Sequence, residues 1–557
     1  MNKFNPIYIG VLMLCLPHLL VAQTTDSLLH RTVVVESRYN PDIMNANKVN
    51  VQPTLIEPQI EKKKIEFATT MRPVRNFPFA PMPSLAANPY VADASRGYLR
   101  AGLGNNGNID ALFNYSLSLG KRDRLDTQFS FQGMNTDLDV PGYPGEEWNA
   151  RSYRLSGNVD WRHMFNTVLV DVTAQGESQV FSYMDNLSGI YRMPNHQTNH
   201  LGALSVEASS RDRDADVGFR IGTGLYLARQ KYVPNEITET GWYSNEYSDN
   251  AETNIKTYAR LWGDITPQST IELNARMDNY MYSGTGKNHT LIQLNPAFVY
   301  AEDEWTLRAG AHVDWQIAFD AGISFSPDVQ FAYNFAKGYN LYAKILGGCQ
   351  INDFRKVNTI YPYSLPYLGW KNTYVKTDGR LGVKASPLNN LSLDIHTGYR
   401  IVENELFCCL KQGSVNETFA GLKQGKAKVY YTALRGAYNY KDYLTTEVSI
   451  TYNLWDSHIV DNYMTMHPLF ELCWRADWNP IERWHFGLTY NFQQRVKSEE
   501  GSRFNSINEL GANISYKVLP MLTIQAKGGN LLNCSYSSYV FLPVQGIHFL
   551  LGAAVDF

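Results

Sequence analysis

From about residue 96 to the carboxyl terminus, apolar and polar residues alternate with a period of two, the signature of strands with one apolar face. The clearest stretch is 305–317. One face carries Trp305, Leu307, Ala309, Ala311, Val313, Trp315 and Ile317, and the other carries Thr306, Arg308, Gly310, His312, Asp314 and Gln316. A Trp near each end with aliphatics between is how a lipid-facing strand is built. The pattern recurs. Tyr153, Leu155, Gly157, Val159 and Trp161 alternate with Arg154, Ser156, Asn158, Asp160 and Arg162; Ile271, Leu273, Ala275 and Met277 alternate with Glu272, Asn274, Arg276 and Asp278. Leu391, Leu393, Ile395 and Tyr399 alternate with Ser392, Asp394, His396 and Arg400.

These stretches run to 10–14 residues, whereas strands of soluble sheets average ~5–6. About 22 of them fit between residues 96 and 557, within a range of roughly 18–24. The expected fold is therefore all-β: a transmembrane antiparallel barrel with an even strand number. Only helices and closed sheets span lipid with every backbone group paired, and beyond the amino terminus no apolar run is long enough for a spanning helix. The polar faces predict a lumen lining of Arg154, Asp160, Arg162, Glu272, Arg276, Arg308, His312, Asp314, Asp394, His396 and Arg400, read first as a structural network of mixed sign. Pro, Asn and charge mark tight turns at 121–124, 267–268 and 387–390. Longer loops are expected near 134–150, 180–196, 229–250, 352–371, 403–424 and 455–466.

Composition agrees. Aromatics make up 13% of the chain, with 36 Tyr and 11 Trp, as interfacial belts require, while charged residues reach only 18%. Mean hydropathy is −0.32, the polar average of a sheet with one apolar face. A formal net charge of −3 gives no electrostatic case for nucleic acid.

The amino terminus differs. Lys3, the apolar run 7–16 and Val21-Ala22-Gln23 form a secretory signal peptide with cleavage near Ala22/Gln23. Residues 24–95 follow, with Pro41, Pro53, Pro58, Pro73, Pro78, Pro81, Pro83 and Pro89. That density disfavours a conventional packed domain, so an extended arm is expected, periplasmic or threaded into the lumen. The expected organisation is 1–23 signal peptide, 24–95 arm and 96–557 barrel.

The closing segment alternates Ile547, Phe549, Leu551, Ala553, Val555 and Phe557, with Leu550 and Ala554 blurring the second face. A strand ending on an aromatic carboxyl terminus resembles the closing strand that the bacterial barrel assembly machinery reads, here Phe549, Leu551, Val555 and Phe557. Two segments extend the likeness. Thr32, Val33, Val34, Val35, Glu36, Ser37 and Arg38 resemble a TonB box, and Asn530-Leu531-Leu532-Asn533 with Tyr536 and Gly546 resembles the last hairpin of TonB-dependent receptors of the Bacteroidetes type. The resemblance implies a cell outer membrane receptor or transport barrel, embedded in outer membrane lipid, with TonB as a partner. The departure is the missing plug: residues 24–95 are too few and too proline-rich for that family's globular plug. The arm, infolded loops, inward side chains or a partner must then fill the lumen. The alternative is a structural scaffold docking a lipoprotein or periplasmic partner through residues 24–95.

Candidate chemistry changes little. No glycine-rich phosphate loop, nucleophile elbow or His-Glu-x-x-His occurs, so no enzyme and no cofactor are expected. His312, His396, His485 and His548 fall on inward faces as lumen lining. Cys349, Cys408, Cys409, Cys473 and Cys534 match no zinc spacing and are expected as small apolar or loop residues. The aromatic segment 361–370 is expected to anchor at the membrane surface, the competing reading being a surface for sugars or a lipoprotein.

Overall fold

The structure is a computed structural model describing residues 96–140, 145–183, 191–192, 196–211, 217–232, 235–238, 241–243, 250–283, 286–363, 370–412, 418–457, 467–496, 505–539 and 542–557. The expected signal peptide, arm and TonB-box-like segment Thr32–Arg38 lie outside the described residues. Twenty-two antiparallel strands form one closed sheet, the first, Gly97–Gly104, pairing with the last, His548–Asp556. The stretch 305–317 is strand Trp305–Ala318. Two-residue connections at 267–268 and 389–390 join strands at the end that also holds both ends of the barrel chain, and the long connections lie at the other end.

The alternation places the apolar residues outside. Leu155, Leu204, Ile271, Phe325, Ile345, Leu381 and Ile524 are exposed on the outer face, whereas Asp278, Asp314, Asn199 and Gln179 are buried on the inner face. Aromatics cluster outside near the short turns, where Tyr300 lies 4.9 Å from Trp305 and Trp484 lies 4.7 Å from Tyr516, ring centre to ring centre. From Trp305 to Trp315 the chain advances about 33 Å at ~3.3 Å per residue, and a strand tilt of ~40° reduces this to about 25 Å. That height matches the apolar band of an outer-membrane barrel.

The seam explains the two residues that blur the closing pattern. Leu550 and Ala554 point inward and are buried, while Phe549, Leu551 and Phe557 are exposed on the lipid side. Leu550 occupies the space above Gly102, where an added Cβ would sit 2.2 Å from its Cδ2. Phe557 exchanges two backbone hydrogen bonds with Gly97 (2.7 and 2.9 Å) and stacks on Tyr115. Inside the seam, Arg100 pairs with Asp110 at 2.8 Å and Lys527 approaches the same carboxylate at 3.4 Å. Gly102→Val must displace Leu550 and is expected to cost about 1–3 kcal/mol. A lowered temperature for loss of the compact electrophoretic form would register it; an unchanged one would mean Leu550 has another place to go.

One expected loop is not a loop. Segment 403–424 continues as strand, to Gln412 in Leu391–Gln412 and from Thr418 in Thr418–Tyr440. The ladder persists because its inner residues gain burial: Leu406, Cys408 and Leu422 pack into an aromatic cluster at the long-loop end. The side chain of Cys409 is outside those described; Cys349 is buried and Cys473 is exposed.

Candidate functional site

The connection between strands Tyr339–Gln350 and Thr373–Leu388 does not leave the barrel. These are the thirteenth and fourteenth strands, yet the connection packs against inner faces of the fourth to ninth. At its centre is a helix, α1 (Phe354–Ile360). Asp353 caps it, accepting a hydrogen bond from the Lys356 N–H at 2.9 Å. It ends where Tyr361 turns extended and donates to the Val357 carbonyl at 2.9 Å. So short a helix is marginal alone, and its burial holds it.

The attachments are specific. The Phe354 N–H donates to Glu252 at 2.8 Å and Tyr280 OH to Asp353 at 3.4 Å. Asn199 donates to Asn358 at 3.1 Å, Asn358 donates to Gln179 at 3.5 Å, and the Arg355 guanidinium lies over the Tyr226 ring. Beyond the helix, Tyr363 meets Trp148, Phe181 and Tyr183 edge-on at 6.3, 5.1 and 6.2 Å. Val357, Tyr361, Met134, Leu406 and Leu542 belong to this cluster, which joins walls on both sides of the barrel.

This corrects the interfacial reading for Tyr361 and Tyr363. Tyr361 and Tyr363 are 5% and 7% exposed inside the barrel, neither at the membrane surface nor free to meet a ligand. Residues 364–369 lie outside the described residues. Infolding wins because each aromatic ring buried here gains about 1.5–3 kcal/mol over an exposed position.

Beneath α1 lies a cavity of about 550 Å³ lined by Gln293, His312, Gly348, Asp378, Arg400 and Glu405, among others. His312 and Arg400 come from the expected lumen lining. Asp314, fully buried, accepts from Gln293 at 2.9 Å and from the Cys349 N–H at 2.7 Å. The remaining residues of the expected lining sit elsewhere around the wall, mostly as pairs. Arg154 meets Glu177 at 2.8 Å and Arg162 meets Asp171 at 2.6 Å. Arg308 bridges Glu272 (2.7 Å) and Asp328 (2.9 Å), and Arg276 pairs with Asp278. Asp160 accepts from Thr173, and Asp394 accepts from Tyr342 OH at 2.7 Å with His396 3.2 Å away. The chemistry is polar binding and charge pairing; among the described residues no His, Cys, Asp and Glu group could hold a metal ion. Glu252, Asp353 and Asn358, which fix the loop, escaped the sequence reading. The local signal was Asp353 three residues before Lys356, ahead of buried Val357.

Burial raises the Asp353 carboxyl above its ordinary range, and buried Lys356 is lowered. A carboxyl raised in the docked state binds its proton more tightly there, so docking weakens as pH climbs from the ordinary carboxylate range through the raised value. Facing it are Glu252, Tyr280, Arg355 and Lys356. A spin label on Thr359→Cys is expected to become more mobile from pH 4 to pH 7. Asp353→Asn, which keeps the cap, should flatten that profile; a profile unchanged by the substitution would assign the effect to another group.

No family model matches the sequence, and no curated protein matches it. Solved structures match in shape. The FrpB iron transporter from Neisseria meningitidis superposes with a TM-score of 0.62 at 11% identity, covering 84% of this chain and 82% of that one. The siderophore receptor PirA from Acinetobacter baumannii gives 0.61 at 9% identity, over 84% and 81%. The copper transporter OprC gives 0.61 at 12%, over 83% and 80%. The fold is that of a TonB-dependent receptor barrel. At these identities the likeness is one of fold.

Proposed function

We propose that this protein is an outer-membrane receptor or transport barrel, moving or binding a polar solute through a lumen that the connection 351–372 closes on the long-loop side. The observation that carries this reading is the helix-bearing connection, bonded to the opposite wall through Glu252, Asn199 and Gln179, above a polar cavity. The transporters and receptors that share its fold support the direction of the reading. Infolding of a barrel loop supplies the lumen filling that a chain without a complete plug needs. Export by the signal peptide and coupling of residues 32–38 to TonB belong to the same proposal. Protein immobilised on a column is expected to retain the carboxyl-terminal domain of TonB, and protein lacking residues 31–38 to lose it. Equal retention by both rejects the coupling.

A further inference from the structure

One sector of the lumen wall departs from the pairing found elsewhere. It spans four consecutive strands, Tyr339–Gln350, Thr373–Leu388, Leu391–Gln412 and Thr418–Tyr440, on the short-turn side of the cavity. Its inward cations are Lys344, Arg380, Lys384 and Arg435. Their neighbours in sequence, Ile345, Leu381 and Val383, face lipid, which fixes the orientation. Lys344 stands directly opposite Arg380 in the ladder, a like-charge placement that weakens a sheet. Lys384 and Arg435 flank Asp394 from either side. Among the described residues Lys344, Lys384 and Arg435 make no ion pair within 4 Å.

The two carboxylates of the sector are already engaged. Asp394 accepts from Tyr342 OH at 2.7 Å and Asp378 from Tyr431 OH at 2.6 Å. Each tyrosine sets its hydroxyl end over a glycine of the adjacent strand: a Cβ on Gly382 would meet Tyr342 Cζ at 2.5 Å, and one on Gly398 Tyr431 Cζ at 2.4 Å. The rings in turn hold the cations. Lys344 and Lys384 lie 5.8 and 5.5 Å from the centre of Tyr342, and Arg380 lies 5.5 Å from that of Tyr431, with its Nε donating to the hydroxyl at 3.0 Å. Four cations face two carboxylates: Asp378 holds Arg380 at 3.5 Å, and Asp394, engaged by Tyr342 and His396, pairs with none of Lys344, Lys384 and Arg435. Glu447, two ladder positions from the partner of Arg435, makes no ion pair with it.

We propose that this sector is a binding site for a small multivalent anion bearing carboxylate or phosphate groups. The tyrosine–glycine pairs set the cations in place beforehand, so the ligand does not have to order them. Lys344 and Arg380 rise from directly opposed ladder positions, with Cβ atoms about 5 Å apart, and Lys384 and Arg435 rise from either side of Asp394, an arrangement that suits a ligand with two anionic groups. The assignment rests on the reading of the barrel as a receptor for a solute, and it gives that solute its charge.

Isothermal titration of the full-length mature protein in detergent at low ionic strength tests it, with pyrophosphate and citrate as separate probes. The wild type is expected to bind at least one of them, the stronger of the two naming the anionic group. Lys344→Gln/Lys384→Gln/Arg435→Gln should weaken binding at least about tenfold. Arg154→Gln/Arg162→Gln, which removes lumen charge elsewhere, should leave it intact. If the triple variant does not fold, Lys384→Gln alone, at an exposed lumen position, should still weaken binding measurably. No binding by the wild type overturns the site, as does equal weakening in the Arg154/Arg162 variant. Anion binding by a barrel that no loop change opens would keep the site and sink the transport reading. An opened barrel that binds neither probe would do the reverse.

Discussion

A barrel in which residues 353–370 are replaced by a short Gly-Asn turn conducts ions in a planar bilayer at least about tenfold better than the native protein. The replaced stretch carries α1, its cap Asp353 and the rings of Tyr361 and Tyr363, and so, among the described residues, removes every link from this connection to the fourth to ninth strands. What stays behind is the strand ladder, which needs none of these links to close. The result is therefore a change in what fills the lumen rather than in the wall. A smaller lesion should give a smaller effect. Asn358→Ala breaks the two amide bonds to Asn199 and Gln179 but leaves the aromatic cluster, and should raise brief openings without a steady open state. Silence of the shortened barrel would mean that other material fills the lumen, and would turn the reading toward a scaffold that docks a partner.

Arg308→Ala is expected to be strongly destabilising, at about 3 kcal/mol. Arg308 is 17% exposed and lies between Glu272 and Asp328, themselves 13% and 6% exposed. Removing it leaves two carboxylates, on the ninth and twelfth strands, with less cation to hold them. Arg260 on Glu272 and Asn295 on Asp328 soften the loss without cancelling it. Arg308→Lys keeps the charge but not the planar fork that reaches both partners, and should recover about half. The urea midpoint for loss of the compact electrophoretic form measures both. Equal midpoints for wild type and Arg308→Ala would show that lumen water screens the carboxylates.

The contrast between wall and loop explains what the sequence could reveal. The wall was legible because each strand carries its own period: Trp305 to Ile317 alternates without reference to any distant residue, and towards the long-loop end exposed Trp315 and Ile317 alternate with buried Asp314 and Gln316. Leu550 breaks the closing strand's alternation because its side chain fills the space over Gly102 of the neighbouring strand. The connection 351–372 was illegible because its fold depends on partners far away in the chain. Asn358 meets Gln179 across 179 positions, and Phe354 meets Glu252 across 102. Its tyrosines and Trp370 gave the composition of an interfacial belt, and composition does not distinguish a ring set in a headgroup layer from one set in an aromatic cluster. The lumen arginines were found by face, but their pairing needed the register of neighbouring strands.

The rim of the barrel is uneven. The hairpin Leu391–Gln412/Thr418–Tyr440 has strands of 22 and 23 residues, while the two strands that meet at the seam have 8 and 9. The seam holds seven rungs against twenty in the long hairpin, so the cylinder behaves like a zipper with a low corner. Heat or force should part Gly97–Gly104 from His548–Asp556 first, and the last rung to let go would be the tall hairpin on the far side. The same asymmetry gives assembly a direction: the long hairpin can stand on its own ladder early, and the chain becomes a tube only when the two short strands find each other.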